Sequence, residues 1–184
     1  MHKVVVVPLA EGFEELEAVT IIDVLRRAGV RVVVCGLEDT GLVASQGGVY
    51  IRPDSTLELL DANNIDGIVL PGGWGGTQRL AKSESLLRAL KMLHASNKLI
   101  GAICAAPYAL SQAGILEGKK FTCYPGVESK INDGNYTNTD AVVRDGNLIT
   151  SKGPATALEF ALALVENLYD NTQSAEIAKA LLFQ

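Results

Sequence analysis

Short apolar runs alternate along this chain with amphipathic stretches, and that alternation indicates the fold class. Val4-Val5-Val6-Val7, Val32-Val33-Val34-Cys35, Gly67-Ile68-Val69-Leu70 and Leu99-Ile100-Gly101-Ala102-Ile103 are apolar throughout. Such runs read as strands of a parallel sheet covered on both faces. Helical patterns lie between and after them, over residues 14–28, 83–95, 105–113 and 155–169. In the last, Leu158, Ala161, Leu162, Val165 and Leu168 fall at three- and four-residue spacings and form one apolar stripe. Gly29 follows the first helical pattern, where a left-handed cap is common. Within 42–52 and 141–151, the turn residues Gly47-Gly48 and Asp145-Gly146-Asn147 separate short β-rich runs, which predicts two hairpins. The whole pattern predicts an α/β fold with a mainly parallel sheet and added hairpins. No Pro-, Ser- or Gly-rich linker and no internal repeat interrupts it, so residues 1–184 are expected to form one domain.

Charge and composition narrow the partners. Sixteen Lys plus Arg against 21 Asp plus Glu give a net charge of −5, with no basic cluster, which argues against general nucleic-acid binding. No apolar run approaches the ~20 residues of a membrane span. Pro8, Glu11, Glu14 and Glu15 end the first run too early for a signal peptide. Three cysteines, an odd and small number, fit a reducing compartment, so a cytoplasmic setting is expected.

In sheets of this kind the chemistry sits beyond the carboxyl ends of the strands, and three such ends carry suggestive residues. Ile103 is followed by Cys104-Ala105-Ala106-Pro107, a cysteine at a strand-to-helix turn with small neighbours, resembling the nucleophile elbow of hydrolases. A helix start there is expected to favour the thiolate through free N–H groups and the helix dipole. The alternative is a buried structural thiol, which is how Cys35, inside a strand, and Cys123 are read. Leu70 is followed by Pro71-Gly72-Gly73-Trp74-Gly75-Gly76, whose paired glycines can present consecutive N–H groups to an anion or oxyanion. It matches neither the dinucleotide fingerprint nor the phosphate-binding loop, so no nucleotide cofactor is expected.

Val7 is followed by a loop and then the acidic start of the first helix. Glu14 is explained by the helix dipole. Glu17, however, has Phe13, Ile21 and Val24 as its helical neighbours, and a carboxylate in that stripe would be desolvated with a raised pKa. Such an acid near a nucleophile can give or take a proton. The two histidines fit this site poorly: His2 starts the first strand at the opposite end, and His94 lies late in a helix. The chemistry suggested is a cysteine with a carboxylate, without a histidine relay. No His, Cys or carboxylate spacing suggests a metal site.

Taken in order, Glu14-Glu15-Leu16-Glu17, Leu25-Arg26-Arg27-Ala28-Gly29, Leu70-Pro71-Gly72-Gly73, Ala102-Ile103-Cys104-Ala105-Ala106-Pro107 and Thr150-Ser151-Lys152-Gly153-Pro154 resemble the ThiJ/PfpI superfamily, in the branch of the Parkinson's-disease-linked protein DJ-one. The resemblance implies a flavodoxin-like three-layer sandwich, usually a homodimer. It also implies that Cys104 is the reactive, oxidation-prone cysteine and Glu17 its protonated partner. Relatives are described as glutathione-independent glyoxalases, as deglycases and as redox-responsive chaperones. Three departures bear on chemistry. Tyr124 stands where a histidine is frequent, Ser45-Gln46 where an arginine often approaches, and Ala105 where the protease branch carries histidine, which argues against proteolysis. The fold also resembles class I glutamine amidotransferase domains, but the expected His and Glu partners are missing.

The expectation is therefore a cofactor-free enzyme converting small 2-oxoaldehydes such as methylglyoxal or glyoxal, or their glycated adducts, to 2-hydroxy acids. Cys104 and Glu17 would be catalytic, with Gly72, Gly73, Ala105 and Tyr124 in oxyanion and substrate binding. The alternative is an oxidative-stress sensor or redox-regulated chaperone acting through Cys104, and a third possibility is a scaffold dimer without chemistry.

Overall fold

A computed structural model of the chain describes residues 3–37 and 39–183. His2 lies outside the described residues. In chain order the elements are β1 (Val4–Pro8), α1 (Glu15–Arg27), β2 (Arg31–Gly36), β3 (Val43–Ala44), β4 (Tyr50–Ile51), β5 (Ser55–Thr56), β6 (Gly67–Leu70), α2 (Trp74–Leu80), α3 (Glu84–Ala95) and β7 (Leu99–Ile103). They continue with α4 (Pro107–Gln112), β8 (Lys120–Phe121), β9 (Asn135–Tyr136), β10 (Val142–Asp145), β11 (Leu148–Ser151), α5 (Ala157–Leu168) and α6 (Asn171–Ala180).

Seven strands form the central sheet in the order β10-β11-β7-β6-β1-β2-β5, all parallel except the β10–β11 hairpin. Helices flank it in two groups, α1 with α5 and α6, and α2 with α3 and α4. The result is the mainly parallel α/β sheet that the apolar runs predict, in the sandwich that the family resemblance implies. Both hairpins are present, but in different places. The β10–β11 hairpin joins the central sheet through β11 beside β7, whereas β3 and β4 pair apart from it. No helix among the described residues is long and apolar enough to cross a membrane.

Local chemistry accounts for the element ends. Glu14 caps α1, its Oε2 accepting the Glu17 N–H at 2.7 Å, and Arg26 and Arg27 in the last turn complement the dipole. Gly29 takes φ 81° after that helix, as its place in the sequence suggests. The pattern over 105–113 overextends: Ala105 and Ala106 are in a turn and α4 begins at Pro107, whose fixed φ suits a first helical position. Likewise 154–156 is a separate 3₁₀ turn before α5.

Two helices have no counterpart in the sequence reading. Trp74-Gly75-Gly76 reads as a turn, yet it opens α2. A Cβ on Gly76 would lie 2.9 Å from the Phe13 nitrogen and 3.1 Å from the Ala10 oxygen, so glycine lets α2 press against the β1–α1 loop. α6 buries only Ser174 and Ile177, too narrow a stripe to stand out.

The strand order places the site. β7, β6 and β1 are consecutive in the sheet, so the segments after Ile103, Leu70 and Pro8 emerge together at one edge. β7 is clamped from behind by α5, where a Cβ on Gly101 would lie 3.0 Å from Leu164 and 3.1 Å from Phe160. Phe160 is fully buried. Phe160→Ala should lower stability by about 3–5 kcal/mol, seen in urea as a lower midpoint with an unchanged slope.

Candidate active site

Cys104 leaves β7 with φ 63°, in the left-handed region that non-glycine residues seldom occupy. The surrounding chain holds it there. Its N–H donates to the Ser151 carbonyl at 2.9 Å, and its carbonyl accepts the Tyr124 N–H at 2.8 Å. Both of its backbone groups are thus fixed by later segments, which over-determine a strained conformation. The residue is 9% exposed.

Glu17 enters from the first turns of α1 and is 0% exposed. Its Oε2 accepts the Gly72 N–H at 2.7 Å, and its Oε1 has no hydrogen-bond partner among the described residues. The loop after β6 fits because it lacks side chains. A Cβ on Gly72 would lie 2.6 Å from Glu17 Oε2, 2.6 Å from Cys104 Cβ and 3.0 Å from Cys104 Sγ. Gly73, at φ 85°, would bring a Cβ to 2.3 Å from the Gly12 oxygen. The Glu14 N–H closes the junction by donating to the Gly72 carbonyl at 3.0 Å.

These contacts divide the predicted anion-binding donors. Gly72 gives its N–H to Glu17, so it holds the acid and is not a free oxyanion donor. The N–H groups of Gly73 and Ala105 instead face the Cys104 sulfur. Tyr124, half-exposed, lays its ring against Gly153 at the cleft wall.

Burial pushes the Glu17 carboxyl from 4.5 up to about 7, against the Gly72 N–H and the Cys104 thiol, which favour its charged form; the Glu14 charge pushes it further up. Burial also raises the Cys104 thiol, and the charge and hydrogen bonding of Glu17 add to this, placing it at about 12 against the Gly73 and Ala105 N–H groups. Burial and the Glu17 carboxyl thus oppose the thiolate that a helix start is expected to favour, and the Gly73 and Ala105 N–H groups support it. α4 begins three residues later, beyond the first-turn range of its dipole, and the nearest charge is a carboxylate.

Cys104 opens into a cleft of about 460 Å³ lined by Glu14, Gln46, Gly73, Trp74, Ala105, Tyr124, Lys130 and Pro154, among others. Trp74 and Lys130 escaped sequence reading: the first sits in a glycine-rich segment, and the second reaches the cleft only through the turn after Val127. Gln46 is brought in by its N–H bond to the Phe13 carbonyl, 2.8 Å. A larger cleft of about 800 Å³, lined by Glu11, Arg79, Lys82, Glu84 and Arg88, contains neither Cys104 nor Glu17. His94 lies on α3 away from the sulfur's cleft. Cys35 and Cys123 are buried. Among the described residues no group of three or more His, Cys, Asp or Glu could hold a metal ion.

A family model described as the DJ-1/PfpI family matches residues 2–167. The chain belongs to the DJ-1/PfpI family. Among family members it is similar to protein dj-1beta of Drosophila melanogaster, 42% identical over 183 residues, covering 99% of this chain and 98% of that protein. The crystal structure of Drosophila DJ-1beta superposes with a TM-score of 0.97, at 42% identity and full coverage of both chains. Protein DJ-1 homolog B of Arabidopsis thaliana is 46% identical over 179 residues, 97% of this chain, and the chain spans 41% of its length. A relative in Caenorhabditis elegans, named glutathione-independent glyoxalase DJR-1.2, is 38% identical over 172 residues, covering 93% of this chain and 91% of that protein.

The raised Glu17 carboxyl has a stability consequence. Below pH 4.5 both folded and unfolded chains carry it protonated. Between 4.5 and about 7 only the unfolded chain releases the proton, so stability falls as pH rises through this window, by roughly 3 kcal/mol in all. Urea unfolding from pH 4 to 8 should show a Glu17→Gln variant gaining stability relative to the parent as pH rises. A constant difference across that range would contradict a protonated Glu17.

Proposed function

We propose that this DJ-1/PfpI protein is a glutathione-independent glyoxalase or deglycase that converts 2-oxoaldehydes, or their adducts, to 2-hydroxy acids. The observation that carries it is the buried Glu17 carboxyl beside the Cys104 sulfur at the base of a cleft, poised to titrate near neutral pH. A relative bearing the glyoxalase name supports the same chemistry.

In this mechanism the thiol keeps its proton until substrate arrives. Above about pH 7 the Glu17 carboxylate accepts it as sulfur adds to the aldehyde carbon, and the carbonyl oxygen ends as the hydroxyl of a hemithioacetal. Glu17 then takes the hydrogen from that carbon and returns a proton to the neighbouring carbon, while the hydroxyl proton passes from the first oxygen to the former ketone oxygen. The result is a 2-hydroxy thioester, with no external oxidant or reductant. The N–H groups of Gly73 and Ala105 stabilise the oxygen charge that develops. Water hydrolyses the thioester, releasing the 2-hydroxy acid and the thiol. Adducts of the same aldehydes present the same carbon to sulfur, which extends the scheme to deglycation. Tyr124 is a wall of the substrate cleft in this scheme.

A second role shares these atoms. Two N–H groups and a protonatable acid around one sulfur suit a sulfinate, so oxidation sensing or redox-controlled chaperone action through Cys104 fits the same pocket. The three free cysteines suit a reducing, cytoplasmic setting. A homodimer is the assembly that fits best: Leu16 and Val19 on α1 and Val49 and Tyr50 beside the hairpin are exposed. Glu15 ties that hairpin to α1 by accepting the Gly47 N–H at 3.2 Å.

Lactate should form from methylglyoxal without glutathione or metal, and Cys104→Ser should abolish it. Glu17→Gln should reduce kcat by about 10²–10⁴-fold, and kcat/KM of the parent should rise through pH 7 as the base form appears. Absence of lactate from the parent with Cys104 reduced would exclude the glyoxalase. A single dose of peroxide followed by intact mass should add two oxygens selectively at Cys104 if the sulfinate pocket is used. Inertness or a third oxygen would count against the sensor.

A further inference from the structure

The cleft is far larger than a three-carbon aldehyde needs. At about 460 Å³ it lies in the ~300–1,000 Å³ range that encloses much bigger small molecules. What lines the space beyond Cys104 therefore sets which aldehydes are preferred.

One wall is built around Trp74. Tyr108 braces the indole, with ring centroids 5.3 Å apart and planes tilted by 53°, and the Lys130 ammonium sits 5.6 Å from the indole centroid. Lys130 is carried by a short turn whose last N–H donates to the Val127 carbonyl at 2.9 Å. Among the described residues Lys130 makes no ion pair and no side-chain hydrogen bond. An indole face orients a cation without neutralising it, so the three N–H donors of the ammonium stay available.

Among the described residues Lys130 is also the one cationic side chain lining this cleft. The other charged side chain there, Glu14, is directed elsewhere, with Oε2 on the Glu17 N–H. The ammonium is thus the positive pole of a cleft whose lining carboxylate, Glu14, is held by the Glu17 N–H at the α1 cap. The hairpin side contributes the neutral Gln46.

We propose that Lys130 is a specificity-determining residue that selects 2-oxoaldehydes carrying a carboxylate beyond the ketone, an assignment that rests on Cys104 being the reacting atom of a glyoxalase. A single ammonium matches a single carboxylate, and the cleft leaves room beyond Cys104 for a chain longer than three carbons. Trp74 positions the ammonium and has no contact with the reacting carbons in this scheme.

Two measurements test this separately from the catalytic reading. First, Cys104 is alkylated with iodoacetate or with iodoacetamide, which have nearly the same shape and differ in charge, and the rate ratio is read site by site by mass spectrometry. The ratio cancels the ionisation of the thiol. Lys130→Gln should lower the iodoacetate preference by about three- to tenfold at low ionic strength, Lys130→Arg should retain it, and about 0.5 M salt should abolish the difference between parent and Gln variant. Equal ratios in parent and Gln variant would overturn the proposal. Second, the parent and Lys130→Gln are compared on methylglyoxal and on 4,5-dioxopentanoate, an oxoaldehyde with a terminal carboxylate. The variant should raise KM for the carboxylate substrate several-fold more than for methylglyoxal. Equal effects on both substrates would overturn carboxylate selection. Turnover of neither by the parent would overturn the glyoxalase, and with it substrate selection by Lys130, while the alkylation ratio would still decide whether Lys130 attracts anions to Cys104.

Discussion

The hydrogen bond from the Gly72 N–H to Glu17 joins the helix that begins after β1 to the loop that ends β6, and everything at the site is arranged about it. A carboxyl group with no exposed surface needs partners or a proton, and here it has one N–H and a thiol neighbour while its second oxygen has none. That shortage keeps the carboxyl near neutrality in charge. A richer set of donors would stabilise the anion and move it out of the range where it could exchange a proton near pH 7. The missing side chain at Gly72 belongs to the same constraint, since a Cβ would occupy the space between carboxylate and sulfur.

The thiol and the carboxyl cannot be assigned charges independently. Glu17 raises the thiol while the thiol's hydrogen bond favours the charged carboxyl, and the N–H groups of Gly73 and Ala105 offset the rise at sulfur only in part. One negative charge shared by the pair is tolerable in such a setting, and two are not. The reactivity of a cysteine so placed depends on a group that can accept the proton during attack.

Much of this was legible in residue order. The four apolar runs became β1, β2, β6 and β7 because both faces of the sheet are covered, and two-sided burial leaves no polar alternation to confuse the reading. Glu17 stood out because a carboxylate among Phe13, Ile21 and Val24 has no other place to go. The misses have physical causes as well. Gly75 and Gly76 oppose helix formation by propensity, yet α2 needs them to approach Phe13 and Ala10, so tertiary contact overrides the local preference. Trp74 and Lys130 lie 56 residues apart in numbering and meet only through folding, and no local pattern announces them. The strand-to-helix turn at Cys104 was legible in residue order, but the electrostatics around its sulfur depended on where α4 begins and on what Glu17 contributes.

The backbone of Cys104 is anchored by Ser151, near the end of the β10–β11 hairpin, and by Tyr124, both later in the chain. During synthesis the sulfur, its acid and the glycine loop are therefore all made before the residues that force Cys104 into its left-handed turn. A nascent chain ending before Ser151 lacks that restraint and keeps only the Tyr124 contact to hold the strained turn. Assembly of the reactive centre thus coincides with docking of the C-terminal hairpin on β7, so an unfinished chain carries the cysteine without the geometry that gives it a task.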